Sequence, residues 1–284
     1  MSSQLESSEQ IEVSPFVYRG LENILDGEYE SALSDFDKSL ELDGEDVMVL
    51  AYKARLLNKM DRDSEALDVW ERVLGLQPKW EYAQLNKASS LVNMGKNEQA
   101  LLAYMLIAGD DPFGPFTELS IMNQAFVYYN LGKYEQAVEA CELVKESGKF
   151  DNDPRFWNLW VDSLGPTDAG IDKLGRVIKE GLKIFPKDTG LTKSMCIYLN
   201  WQGKFKESLS LCNNVLDDDS SDVNIWLYKA LSLAELGDAD GAYDAFFVAI
   251  SIDRTNLKEN QREEISKEFL KLNDERFQKL IDKD

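Results

Sequence analysis

The sequence predicts an all-α chain built from repeated helix–turn–helix units, on three observations. Anchoring residues recur at a fixed step: Ala32, Ala66 and Ala100 are 34 residues apart, and Leu174, Ser208 and Ala242 continue at 34. Between the two series, Ala137 lies 37 residues from Ala100 and 37 from Leu174, one period plus three inserted residues on either side. A small residue stands twelve positions before six of the seven anchors: Gly20, Ala54, Ala88, Ala125, Cys196 and Ala230. Five positions before the anchor stands a glycine (Gly27, Gly95, Gly132, Gly203, Gly237), with Asp61 in its place in the second unit.

Each feature has a physical reading. Small residues facing one another let two helix backbones approach closely. The glycine supplies the left-handed residue that ends the first helix. Four residues after the anchor come Phe36, Trp70, Tyr104, Cys141, Cys212 and Phe246, and seven after it Ser39, Val73, Ile107, Val144, Val215 and Ala249. At 3.6 residues per turn these share the anchor's face and fill the space against the next unit. Pro78 and Pro112 fall twelve after their anchors, and with Pro186 they stop the second helix.

In chain order, residues 1–12 are polar and acidic and are expected to be disordered. Seven units follow, near 13–46, 47–80, 81–117, 118–154, 155–188, 189–222 and 223–256. Turn-rich insertions, DDPFGPF (110–116) and KESGKFDNDP (145–154), precede the fourth and fifth units and predict breaks in the regular stack. The fifth unit departs most, with GPTDAG (165–170) where its first helix should turn, Leu174 at the anchor and Gly181 at a packing position. After Asn256 the period ends, and Ile265, Phe269, Leu272 and Leu280 predict a capping helix over 257–284 covering the last hairpin.

The segments NLGKYEQAVEAC (130–141), NKASSLVNMGKNEQALLAY (86–104) and WLYKALSLAELGDADGAYDAFFVAI (226–250) resemble the tetratricopeptide repeat family. That resemblance implies a right-handed superhelical solenoid of about seven hairpins plus the capping helix. It also implies a multi-repeat scaffold in which the first helix of each hairpin lines a concave groove for peptides. Positions 14, 11 and 7 before each anchor would face that groove. In units two to four the candidate residues are Tyr52, Arg55, Asn86, Ser89, Asn93, Asn123, Phe126 and Asn130. Asn86, Asn93, Asn123 and Asn130 make two rungs of amides, each able to donate to and accept from a peptide backbone. Family members that grip a chaperone's C-terminal carboxylate need a clamp of two lysines, one arginine and two asparagines. Here Arg55, Lys59 and Lys193 are scattered, which argues against such an adaptor.

Composition narrows the function. Histidine is absent, which removes the commonest general base and transition-metal ligand. Cys141, Cys196 and Cys212 stand at packing positions, and no phosphate loop or nucleophile motif appears. The run DDDSSD (217–222) lacks calcium-loop spacing. The expectation is no enzyme, no cofactor and no metal. A net charge of −21 disfavours nucleic acid and anionic membranes, and 13 acids against Arg19 and Lys38 in residues 1–46 suit a partner with a basic segment. With no secretory start and no run of roughly 18 apolar residues, a cytoplasmic protein is expected. The leading reading is an adaptor that binds a peptide segment in the groove. The alternative is a self-associating regulatory subunit using groove or end surfaces, so homo-oligomerisation stays open.

Overall fold

The computed structural model describes residues 14–252 except 112–113, 169 and 219, together with Arg276. The acidic segment 1–12, Pro112 and, apart from Arg276, the helix expected over 257–284 lie outside the described residues. Among those described there are fourteen α-helices and no strand. They are α1 (Pro15–Leu25), α2 (Tyr29–Leu42), α3 (Val47–Lys59), α4 (Asp63–Leu76), α5 (Glu81–Asn93), α6 (Asn97–Asp110), α7 (Thr117–Asn130) and α8 (Tyr134–Ser147). Then come α9 (Pro154–Leu164), α10 (Ile171–Ile184), α11 (Thr189–Trp201), α12 (Phe205–Asp218), α13 (Val223–Glu235) and α14 (Ala239–Ile252). Taken in pairs they are hairpins 1 to 7.

The chain forms two compact units, residues 1–144 and 145–284, the division falling just before the second turn-rich insertion. In the first unit, α1 to α7 touch in succession and α3 also touches α5. In the second, α9 to α14 touch in succession, with α9 against α11 and α11 against α13. First helices of successive hairpins therefore lie side by side.

Packing follows the periodic residues. All seven anchors are buried, six with no exposed surface and Leu174 with 7%. The small partners Ala54, Ala88, Ala125, Cys196 and Ala230 are likewise at 0%. At Gly20 an added Cβ would lie 2.7 Å from the Phe36 ring, so that crossing has no room for a methyl group. Phe36, Trp70, Tyr104, Cys141, Cys212 and Phe246 are all buried one turn after their anchors. Each large apolar side chain so buried contributes about 1.5–3 kcal/mol, and the sum over hairpins holds the stack together.

Turns and starts are also written locally. Gly27, Gly95, Gly132, Gly203 and Gly237 have φ between 67° and 84°, and Asp61 adopts φ 57° in the same position. Asp46, Asp153, Asp188 and Asp222 cap the first helices of hairpins 2, 5, 6 and 7, each side chain accepting a backbone N–H of the first turn. Asp222 ends the acidic DDDSSD run, and it also pairs with Lys193.

The fifth hairpin compensates for its irregular link. Phe156, Trp157 and Trp160 on α9 are buried together with ring centroids 5.5–5.9 Å apart. Trp157 Nε1 donates to the Asp151 carbonyl at 2.9 Å, and Lys145 Nζ lies 4.9 Å from the centre of its ring. Gly181 of α10 leaves space for this cluster, since a Cβ there would stand 3.3 Å from Trp157 and 2.8 Å from Leu191.

Polar contacts fix hairpin against hairpin. Lys53 pairs with Asp37 at 2.6 Å and Lys87 with Glu71 at 3.0 Å, the same two positions one period apart. Asn58 donates to Asp63 at 2.6 Å and to Ser90 of the next hairpin at 2.8 Å, and accepts from Trp70 Nε1 at 3.1 Å. In the second unit Asn200, at the equivalent position, donates to Ser208 at 2.5 Å and accepts from Ser232 of the next hairpin at 3.1 Å.

Candidate peptide-binding face

The candidate residues lie on three first helices of the first unit: Tyr52 and Arg55 on α3, Asn86, Ser89 and Asn93 on α5, and Asn123, Phe126 and Asn130 on α7. Steps of three and four residues put each set on one stripe of its helix. The stripe is not uniformly open. Arg55, Asn93, Phe126 and Asn130 are exposed, whereas Tyr52, Asn86, Ser89 and Asn123 are half-buried.

Several of these side chains already have work within the fold. Tyr52 stacks on Phe36 of the preceding hairpin, centroids 5.9 Å apart and planes at 24°. Asn86 Nδ2 donates to the carbonyl of Tyr82 in its own helix at 2.7 Å. Ser89 Oγ donates to the Leu85 carbonyl at 3.1 Å and lies 3.0 Å from the Tyr104 hydroxyl. Burial raises the Tyr104 phenol above its ordinary value, with the Ser89 bond opposing. Asn93 Nδ2 reaches Asp63 Oδ1 at 3.0 Å, joining the Asn58 network. Of the two amide rungs, the pair on α5 is thus partly engaged by protein, and the pair on α7 has Phe126 between its members, 46% exposed.

The same stripe continues onto α1, where Tyr18 is 60% and Leu25 86% exposed. The first unit therefore presents Tyr18, Leu25 and Phe126 to solvent alongside amides. In the second unit Trp201 of α11 stands at the corresponding position and is 55% exposed.

Charge is organised around hairpin 1. Asp35 is buried, accepting from Arg19 Nε at 2.7 Å and Asn23 Nδ2 at 3.0 Å, with Arg19 Nη2 as a further donor. Those hydrogen bonds from the Arg19 guanidinium hold its carboxyl below the usual carboxylate range. Glu22, Asp26, Glu28, Glu30, Glu41 and Asp43 remain exposed. Asp35, with the α3 cap Asp46 and the Lys53 partner Asp37, is thus structural, while these exposed acids charge the surface.

The three cysteines are free and buried, and burial pushes the Cys141 thiol up to about 12. Cys196, paired with Cys212 in the same core, is also raised by that pairing and by burial. Among the described residues no three acidic or cysteine side chains converge to hold a metal ion, and no helix is long and apolar enough to cross a membrane.

The inter-hairpin bonds are polar contacts that reading the sequence for a groove missed. A signal was present, since Lys53 and Lys87, like Asp37 and Glu71, repeat at the 34-residue step. Two charges of opposite sign repeating together mark a contact made twice, between hairpins 1 and 2 and between hairpins 2 and 3.

Comparison with known proteins bears on the repeat itself. A tetratricopeptide repeat family model matches residues 120–147. No curated protein sequence matches the chain significantly. A tetratricopeptide repeat protein from Parabacteroides merdae is similar at a TM-score of 0.61 and 15% identity, over 91% of this chain and 98% of that one. The C-terminal part of a TPR repeat-containing protein from Cytophaga hutchinsonii gives a TM-score of 0.66 at 13% identity, covering 86% and 97%. A chain of the APC/C hetero-tetramer Cut9–Hcn1 gives 0.61 at 14%, covering 87% of this chain and 49% of that one. Identities so low speak to fold alone. With the 34-residue period, the buried anchors and the left-handed turns, they show that the described residues have the helical-hairpin fold of tetratricopeptide-repeat proteins, and residues 120–147 match the repeat itself.

Proposed function

We propose that the chain is a protein-interaction scaffold, without catalytic activity, that holds a peptide segment of another protein on the first-helix face of its first unit. The observation that carries this reading is the exposure of Tyr18, Leu25 and Phe126 on the stripe that also bears Asn93, Asn123 and Asn130. Such a surface can pack against side chains and bond to peptide backbone at once, which is how a groove binds an extended or helical segment without reading every residue. Exposed carboxylates of hairpin 1 suit a basic end on the bound segment, attracting it at long range and fading with salt.

The test begins with selection of peptides from a displayed random library, followed by titration of the best binder. Replacing Phe126 and Asn123 by alanine should weaken binding at least about tenfold while leaving the circular dichroism spectrum and melting temperature unchanged. The same titration at low and physiological salt should show weaker binding at the higher salt. An unaffected double variant would remove the groove from the proposal, and salt-independent binding would remove its electrostatic part. Light scattering over a dilution series separates this reading from a self-associating subunit, which would dissociate on dilution.

A further inference from the structure

The outer face of α6 departs from the pattern of the second helices beside it. Its inner side buries Ala100, Leu101, Tyr104 and Ile107. On the opposite side Leu102 is 63%, Met105 47% and Leu106 66% exposed. These three stand two, five and six residues after the anchor, where α4 has Asp68, Glu71 and Arg72 and α8 has Glu139, Glu142 and Leu143. Spacings of three and four residues align the α6 side chains into one ridge. Single exposed apolar residues are ordinary, but a contiguous ridge where neighbouring helices carry charge is the mark of a covered surface.

Charge says what covers it. From Asn97 to Val144 there are seven acids and one base, Lys133. Glu98 and Asp110 on α6 and Glu135 and Glu139 on α8 are exposed, as is Asp68 on α4. Arg72 is the cation at the equivalent register position on α4, and its guanidinium is engaged by the Gly44 carbonyl. The ridge is therefore apolar and framed by carboxylates. A second copy is a poor fit, because residues 1–144 hold 26 acids and 11 bases and would bring −15 against −15. Residues 1–13, with three acids and no base, carry the wrong sign. Residues 254–284 are balanced in charge, and their Arg276 is engaged by Asp240 of α14 at 2.7 Å.

We infer that the outer face of α6 is a second docking surface, which takes an amphipathic helix of another protein with an apolar stripe and lysine- or arginine-rich flanks. It is separate from the first-helix face, so the scaffold can hold two segments at once.

The probe is a short helical peptide of leucine and lysine in an amphipathic pattern, with a leucine–glutamate peptide of the same pattern as its counterpart. Fluorescence anisotropy should show saturable binding of the lysine peptide to the full chain and none of the glutamate peptide. Amide hydrogen exchange should slow in residues 97–110 on binding. The variant Leu102→Ser/Met105→Ser/Leu106→Ser should lose at least about tenfold in affinity, with the helical signal kept and the melting temperature lowered only by the few degrees that serine's weaker helix propensity costs. A second variant, Asp68→Lys/Glu139→Lys, leaves the ridge intact; it should weaken the lysine peptide and admit the glutamate one. Equal binding to the serine variant would mean that charge alone holds the peptide and would overturn the proposal. So would a dimer of the wild-type chain, seen by sedimentation, that the serine variant abolishes, since the occupant would then be a second copy.

Discussion

Asp61 sits at φ 57°, in the turn position that glycine fills in five other hairpins. Its amide donates to the Asn58 carbonyl and the next amide, of Arg62, reaches back to Leu57, so the backbone of the turn is fully used. What remains is the strain of a side chain in the left-handed region, about 1 kcal/mol for a residue as small as aspartate. Asp61→Gly should therefore raise stability by up to about 1 kcal/mol, read as a higher denaturation midpoint in urea. A lower midpoint would show that the Asp61 side chain contributes more than its strain costs. At this scale the sequence was highly legible where one residue type has one role, as at the turn glycines. It was less so for side chains with several outlets. Asn86 bonds to the Tyr82 carbonyl of its own helix, a local competitor that no spacing pattern reveals.

A hairpin is the smallest element whose packing can be tested. Ala100 has no exposed surface and shares a core with Ala88, Tyr104 and Ile107. Leucine there adds a branched group to filled space, and overpacking of this kind costs about 1–3 kcal/mol. Ala100→Leu should lower the urea midpoint accordingly without changing the helical signal at low denaturant. An unchanged midpoint would mean that the site can yield. These helices were readable because a 34-residue period repeats each packing decision seven times, so one ambiguous residue is outvoted. The fifth hairpin shows the limit of such a reading. Its link from Leu164 to Ile171 and its Phe156–Trp157–Trp160 cluster occur once, and a solution used once has no period to betray it.

Over the whole molecule, charge and connection set the behaviour. At −21 the folded chain repels itself, and the exposed ion pairs offset little of that. Raising salt from about 10 mM to about 150 mM shortens the screening length from about 30 Å to about 8 Å. The melting temperature should rise by a few degrees in consequence, as differential scanning calorimetry would measure. A fall would mean that bonds such as Lys53–Asp37 outweigh the repulsion. The overall charge was plain in the sequence, but the apolar ridge of α6 emerged only once exposure separated its outer side from its core. The half-buried asparagine bonds carry a different consequence, about which hairpins can follow which. Asn58 meets Ser90 across the joint between hairpins 2 and 3, and Asn200 meets Ser232 between 6 and 7. A chain respliced so that hairpin 7 followed hairpin 2 would find the same hydroxyl waiting. Hairpin 4 in that place would offer Val127 and leave the amide short of a partner, a loss of about 1–3 kcal/mol. These joints act as plugs and sockets, and they restrict the orders in which modules of this kind can be shuffled.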